Sequence, residues 1–365
     1  MRMPTNDRDE EDRQPAGATT GDDSSGFDDA SSLDEDGFDE AEFEDEEPRG
    51  PSLTVMLRLA LGALLIAAVA VGLTILLNTD DGSAPADDRP VSTIQATACR
   101  GIPSDAALGQ AYERGIRIGG DVRTYRVYIP RGFEASRPAP VVLNYHGYAG
   151  DARTQEAVSG LVPIADREGF LLVSPQGAGD PPNWTAIVQA LSQSSDREFF
   201  DRMLDALAQE LCVDQDRIYA TGFSMGGFFA ARLACVRNDR LAAIAPVAGL
   251  YRPASEACGS RPIPILAFHG SADETVPFGG GRILDRIVYP GVVPMLAAWG
   301  QADGCSGLVS EPIAPGVVRA SFQQCPVPLE LIAIEGLDHR WPGDVGGQPA
   351  AERIWQFFSE QRRGQ

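Results

Sequence analysis

The sequence predicts an α/β fold built on a doubly wound, mostly parallel sheet. Three observations lead there. Short, continuous apolar runs recur at 139–145, 170–174, 216–221, 241–247, 263–268 and 329–334, the pattern of strands buried on both faces. Helix-like segments near 153–168, 196–211, 225–238, 290–302 and 350–361 alternate with them, and such alternation marks the α/β class. Reactive residue types follow the apolar runs directly, and in open α/β sheets ligands bind at the carboxyl ends of the strands.

Taken from the start, the chain opens with an acidic stretch. Of its net charge of −22, residues 1–50 account for most, with 19 acids and 4 arginines. Few aliphatic residues occur there, so burial cannot offset chain entropy, and 1–52 is expected to be a disordered tail on the cytoplasmic side. Phe27, Phe38 and Phe43 recur inside its acidic clusters, a pattern open to a cytoplasmic partner or to a plain solvated tail. Leu59 to Leu77 is an uncharged run of 19 residues, close to the ~20 a helix needs to cross a bilayer. A single transmembrane signal anchor is expected over 53–78. Arg49 and Arg58 precede it, whereas Asn78 to Asp88 contains no cation, which places the N-terminus inside and the remainder outside. Residues 79–97 read as a linker. Ala84-Pro85-Ala86 resembles a processing site, so secretion after cleavage near Ala86 is the alternative to a retained anchor.

From residue 98 onward the composition is that of a globular domain, expected over 98–365. It carries no basic stripe and thus no expectation of nucleic acid. Val122 to Pro130 alternates apolar and polar residues, as a half-buried outer strand does. All six cysteines (Cys99, Cys212, Cys235, Cys258, Cys305 and Cys325) follow the apolar run, and an even number outside the cell suggests three disulfides. Proximity in sequence suggests Cys235–Cys258 and Cys305–Cys325, leaving Cys99–Cys212. No C-x-x-C occurs, and neither a metal nor a cofactor is expected. No repeat is present, and no second domain is expected beyond the last helix.

The run Thr221-Gly222-Phe223-Ser224-Met225-Gly226-Gly227 joins a strand candidate to a helix candidate. This is the context of a nucleophile elbow, in which glycines let strand and helix close around an exposed serine. Such a serine needs a base, a carboxylate to orient that base, and donors for the oxyanion. Only three histidines exist, His146, His269 and His339, each after an apolar run. His339, late in the chain, is the expected base. Asp273, after the run ending at Phe268, is the expected acid; Glu274 and Asp338 are the alternatives. The order Ser224, Asp273, His339 is that of α/β-hydrolases. Met225 is expected to supply one oxyanion amide and Tyr148, in the His146-Gly147-Tyr148 loop, the other. His146 and His269 are expected to hold loops. Trp184 and Trp341 are candidates for walls of the acyl or alcohol pocket, with core packing the competing role.

Together Gly222-Phe223-Ser224-Met225-Gly226-Gly227, His146-Gly147, His269-Gly270-Ser271-Ala272-Asp273 with Val276-Pro277, and His339-Arg340-Trp341-Pro342-Gly343 resemble the polyhydroxybutyrate depolymerase, feruloyl esterase and acetylxylan esterase group. The likeness spans about residues 110–360. It implies an α/β-hydrolase fold, a Ser224–His339–Asp273 triad and no cofactor. The family often has Cys or a small residue where this chain has Tyr148, and several glycines where it has Gly336-Leu337-Asp338. Polymer-degrading members commonly add a polymer-binding domain, and none is visible.

The expected function is an extracytoplasmic, membrane-tethered serine ester hydrolase. Its expected substrates are short acyl esters, hydroxyalkanoate oligomers or acylated sugars. A serine peptidase on the same fold is the nearest alternative, and a non-catalytic surface binding protein is the alternative from another class.

Overall fold

The computed structural model describes residues 99, 101–187, 194–253 and 258–364. The acidic tail, the expected membrane helix, the linker and the site near Ala86 lie outside these residues. Among the described residues, no helix is long and apolar enough to cross a membrane.

In chain order the first elements are β1 (Gln110–Ile118), β2 (Asp121–Ile129), β3 (Ala139–Tyr145), α1 (Ala152–Ser159), α2 (Leu161–Glu168) and β4 (Leu171–Pro175). Then come α3 (Ser195–Glu210), β5 (Val213–Phe223), α4 (Met225–Val236), β6 (Ala243–Val247), β7 (Ile265–Gly270), β8 (Gly281–Ile283) and β9 (Ile287–Tyr289). The chain finishes with α5 (Val292–Ala302), β10 (Ser306–Ala314), β11 (Val317–Gln324), β12 (Leu329–Ile334) and α6 (Ala350–Ser359).

Ten strands form one sheet in the order β1-β2-β4-β3-β5-β6-β7-β12-β11-β10. The six from β4 to β12 are parallel. Antiparallel pairs flank them, β1–β2 on one side and β10–β11 on the other. The continuous apolar runs are explained by helices on both faces. Val141, Leu143 and Tyr145 of β3 join the core under α3, α4 and α5, whereas Val142 joins the core under α2 and α6. A strand residue on either face is therefore covered, and no polar alternation is needed. The antiparallel β8–β9 pair stands apart as a small hairpin.

The expected helix at 153–168 is instead two helices. Gly160 (φ +68°) ends α1 and begins α2 in the left-handed region, which glycine enters without a Cβ penalty. Pro163 then falls in the first turn of α2, where its missing N–H costs no helical hydrogen bond. The β1 strand and the β8–β9 and β10–β11 hairpins had no counterpart among the expected elements. Most of β10 is exposed, so it carries no apolar period to read.

The three disulfides pair as expected: Cys99–Cys212, Cys235–Cys258 and Cys305–Cys325. The last closes the open end of the β10–β11 hairpin. The first fastens the segment before β1 to the start of β5.

Every element that matters for the site ends at one edge of the sheet. His146 follows β3, Ser224 follows β5, Asp273 follows β7, and His339 follows β12.

Candidate active site

Ser224 occupies the single residue between β5 and α4, with φ 53° and ψ −116°. A side chain in this region costs on the order of 1–3 kcal/mol and persists only where surroundings impose it. Here the Ser224 amide donates to the Val247 carbonyl at 2.9 Å, and the Ser224 carbonyl accepts from the Phe228 amide at 3.0 Å. A Cβ on Gly226 would run into the Tyr145 carbonyl, and one on Gly249 into the Ser224 carbonyl. Those glycines let three backbones meet around the serine.

The expected base and acid reach it. His339 Nε2 lies 2.9 Å from Ser224 Oγ, and His339 Nδ1 lies 2.8 Å from Asp273 Oδ2. The carboxylate accepts at Oδ2, so Nδ1 carries the proton and Nε2 is free to accept from the serine hydroxyl. Asp273 is itself fixed: its Oδ1 accepts from the Thr275 and Val276 amides at 3.0 and 2.8 Å. Burial works to raise its carboxyl pKa, but the hydrogen bonds from His339 and Val276 and the neighbouring histidines outweigh burial and hold it below the ordinary carboxylate value. The two alternative acids point elsewhere. Asp338 pairs with Arg340 at 2.7 Å, and Glu274 is exposed.

His269 packs behind the acid. Its Nε2 donates to the Val276 carbonyl at 2.8 Å and lies 3.5 Å from Asp273 Oδ2. His146 braces the other side of the site. Its Nδ1 donates to the Gly147 carbonyl at 2.7 Å, and its Nε2 accepts from the Gly177 amide at 2.9 Å. Burial lowers the pKa of both rings, which keeps them neutral in these roles.

The His146-Gly147-Tyr148 loop runs against the elbow: a Cβ on Gly147 would lie 3.4 Å from the Ser224 Cβ. Met225 provides the first amide of α4, which has no acceptor within the helix. Among the described residues, neither the Met225 nor the Tyr148 amide donates to a protein acceptor. Both amides of the expected oxyanion pair are thus unengaged.

Trp184 and Trp341 line different cavities. Trp184 is buried, stacks on Phe229 with ring centres 5.0 Å apart, and donates its indole N–H to the His146 carbonyl at 2.9 Å. It is core and loop brace, and it also lines a cavity of about 380 Å³ beside Met225. Trp341 lines a separate cavity of about 410 Å³ that includes His339 and Phe223. Ile187, Leu284 and Ile287 line the first cavity too, together with polar Asn183, Thr185, Ser195 and Asp196; no sequence motif marks them. Also unanticipated is the buried Arg123–Asp196 ion pair at 2.7 Å. Asp196 accepts from the Thr185 amide at 2.7 Å as well, so the pair ties the Trp184 segment to the first turn of α3. Nothing local foretells it, because its partners come from β2 and α3. Among the described residues, no group of three or more His, Cys, Asp or Glu side chains is placed to hold a metal.

Known proteins of similar sequence and fold give the family. A family model described as phospholipase/carboxylesterase matches residues 169–288. A protein of Nocardia uniformis subsp. tsuyamanensis named as an esterase, NocK, is 31% identical over 286 residues, covering 71% of this chain and 78% of that one. Feruloyl esterase C of Emericella nidulans is 28% identical over 241 residues, covering 65% of this chain and 83% of that one. Among solved structures, the acetyl xylan esterase from Aspergillus awamori superimposes with a TM-score of 0.54 at 14% identity, over 68% of this chain and 99% of that one; this likeness speaks to the fold. With the relatives and the fold in agreement, the chain belongs to the esterase group of the α/β-hydrolases and is a carboxylic ester hydrolase.

Proposed function

We propose that this hydrolase works outside the cytoplasm through an acyl-enzyme on Ser224. In this reading His339 Nε2 takes the serine proton as Oγ attacks the ester carbonyl. The carbonyl oxygen becomes an oxyanion held by the Met225 and Tyr148 amides. His339 returns the proton to the leaving alcohol oxygen as the carbon–oxygen bond breaks. Water then repeats the sequence: His339 takes its proton, the hydroxide oxygen adds to the acyl carbon, and Ser224 leaves reprotonated. Asp273 keeps the imidazole in the tautomer that accepts at Nε2 and stabilises it when charged. Trp184 and Trp341 wall the substrate site. The observation that carries the reading is the hydrogen-bonded chain Ser224–His339–Asp273, at 2.9 and 2.8 Å.

Features of the sequence support that location. Three disulfides suit an oxidising compartment, and the uncharged run at 59–77 follows an arginine-flanked acidic tail. The proposed arrangement is a cytoplasmic tail (1–52), one membrane helix (53–78), a linker (79–97) and an outward-facing catalytic domain (98–365), or the secreted domain after cleavage near Ala86. The substrates proposed are soluble or cell-surface esters, among them acylated sugars and hydroxyalkanoate oligomers. Relatives named as feruloyl and acetyl xylan esterases are consistent with that class.

The test is hydrolysis of p-nitrophenyl esters, acetate through octanoate, by the full-length protein beside Ser224→Ala. Release of p-nitrophenol that disappears in the variant supports the reading. Equal release by folded Ser224→Ala contradicts it.

A further inference from the structure

The Tyr148 amide belongs to a peptide that is gripped from its other end. The Tyr148 N–H and the Gly147 carbonyl are two halves of one planar trans unit and point in opposite directions. Whatever fixes the Gly147 carbonyl therefore fixes the aim of the Tyr148 N–H. Two donors hold that carbonyl: His146 Nδ1 at 2.7 Å and the Gly150 amide at 3.1 Å.

The turn needs such a grip. Position 147 is a glycine where the loop passes close to the elbow, since a Cβ there would lie 3.3 Å from the Phe223 ring and 3.4 Å from the Ser224 Cβ. A glycine leaves the peptide beside it free to rotate. Tyr148 provides no anchor, being 49% exposed. Ala149 follows in the left-handed region at φ 57°, a conformation that costs roughly 1–2 kcal/mol.

His146 can hold the carbonyl in one neutral tautomer only, with the proton on Nδ1 and a lone pair on Nε2. The segment after β4 selects that tautomer. The Gly177 amide donates to Nε2 at 2.9 Å, and Gln176 Nε2 lies 3.3 Å from the same atom. The Gln176 side chain is itself oriented, because its Oε1 accepts from the Ala152 amide at 3.0 Å. Two N–H groups thus face His146 Nε2 and leave no place for a proton. The same segment holds the turn at two more points. The Trp184 indole donates to the His146 carbonyl at 2.9 Å, and the Pro182 carbonyl accepts from the Ala149 amide at 2.8 Å.

We propose that His146 is a positioning residue of the oxyanion site: its Nδ1–H aims the Tyr148 amide through the Gly147 carbonyl, and the 176–184 segment keeps the ring in the tautomer that does so. This inference rests on the acyl-enzyme reading above. It gives a second histidine a part in the reaction, exerted through the backbone and separate from the proton transfers of His339.

The test compares His146→Asn and His146→Gln with wild type in the full-length protein. Asparagine can place its Nδ2 where the imidazole Nδ1 stands and so keep the donor to Gly147. Glutamine reaches the Nε2 position and loses that donor. By volume alone glutamine is the better substitute, so a merely space-filling role predicts the reverse order. The readouts are kcat and KM for p-nitrophenyl butyrate and the inhibition constant of butylboronic acid, whose tetrahedral adduct on Ser224 sets an oxygen in the oxyanion site. Removing an oxyanion donor outright costs about 10²–10³ in kcat, so a mis-aimed one in His146→Gln should cost at least about tenfold, with KM little changed. Boronate affinity should fall in parallel, and His146→Asn should recover most of both. Equal kcat in the two folded variants overturns the proposal, as does a loss confined to KM or an unchanged boronate affinity. If either variant fails to fold by circular dichroism, Trp184→Phe decides. It removes the indole N–H from the His146 carbonyl and keeps an aromatic ring against Phe229, so kcat and boronate affinity should fall together, and unchanged values overturn the proposal. Ser224→Ala separates the two levels: activity that survives it refutes the acyl-enzyme reading, whereas activity lost with it but retained in His146→Gln refutes the positioning role alone.

Discussion

Replacing Asp273 by Asn changes one atom and should reverse the polarity of the whole hydrogen-bonded chain. In the wild type, Oδ1 accepts from the Thr275 and Val276 amides while Oδ2 accepts from His339 Nδ1. An asparagine keeps its carbonyl oxygen where two amides donate, since turning it round would set an NH₂ against both. Its Nδ2 then faces His339 Nδ1 and donates to it. The imidazole must shift its proton to Nε2, which now points a hydrogen at Ser224 Oγ instead of a lone pair. The loop geometry survives and the base is lost. Where the same three roles are used elsewhere, this exchange lowers kcat by about 10⁴-fold, equivalent to about 5 kcal/mol of activation free energy at 1.36 kcal/mol per decade. The assay is kcat for p-nitrophenyl butyrate from pH 6 to 9, beside circular dichroism to confirm the fold. Asp338→Asn and Glu274→Gln serve as controls and should stay within about twofold of wild type. A folded Asp273→Asn enzyme that loses less than about tenfold in kcat would refute the role of Asp273, most directly if Asp338→Asn lost more.

Other outcomes follow from the same geometry. Asp196→Ala leaves the Arg123 guanidinium buried without its partner at 2.7 Å and should lower stability by about 3–5 kcal/mol in urea unfolding; a loss under about 1 kcal/mol would show that the pair is not a structural tie. Gly226→Ala puts a methyl into the Tyr145 carbonyl and should yield an unfolded or inactive protein, so near wild-type activity and melting temperature would contradict this packing of the elbow. Burial lowers the pKa of His146 and His269 below the ordinary value, so the unfolded chain takes up protons that the native one does not. The stability this provides is complete above about pH 6.5, the unperturbed value, and is lost as pH falls below it. Melting temperature should therefore fall between pH 7 and 5, and His269→Gln should flatten part of that fall; a flat wild-type profile would contradict the neutral, buried assignment of both rings.

The parallel core and the three side chains that meet at the elbow were legible in the sequence for a shared physical reason. Strands buried on both faces must be continuously apolar, and reactive residues at their carboxyl ends must interrupt that run, so β3, β5, β7 and β12 announce both themselves and His146, Ser224, Asp273 and His339. The edge elements had no such signal. Residues 306–312 of β10 are exposed, which leaves no apolar alternation to read. The break at Gly160 was present as a glycine followed by a proline three residues later, but the apolar period continued across it. The sequence favoured Asp273 over Asp338 and Glu274 as the acid; the 2.8 Å from His339 Nδ1 to Asp273 Oδ2 appears only in three dimensions. The Arg123–Asp196 pair and the cavity joining Trp184, Met225, Leu284 and Ile287 were hidden for the same reason. Their residues meet only after the sheet has assembled.

The proposed mechanism requires an acyl group carried on Ser224, and rapid mixing with p-nitrophenyl acetate looks for it. The expected result is a burst of about one p-nitrophenol per enzyme and, after acid quenching, an acetyl mass increment on the peptide holding Ser224, both absent from Ser224→Ala. An acetyl group on another residue, or a burst that persists in folded Ser224→Ala, would contradict it.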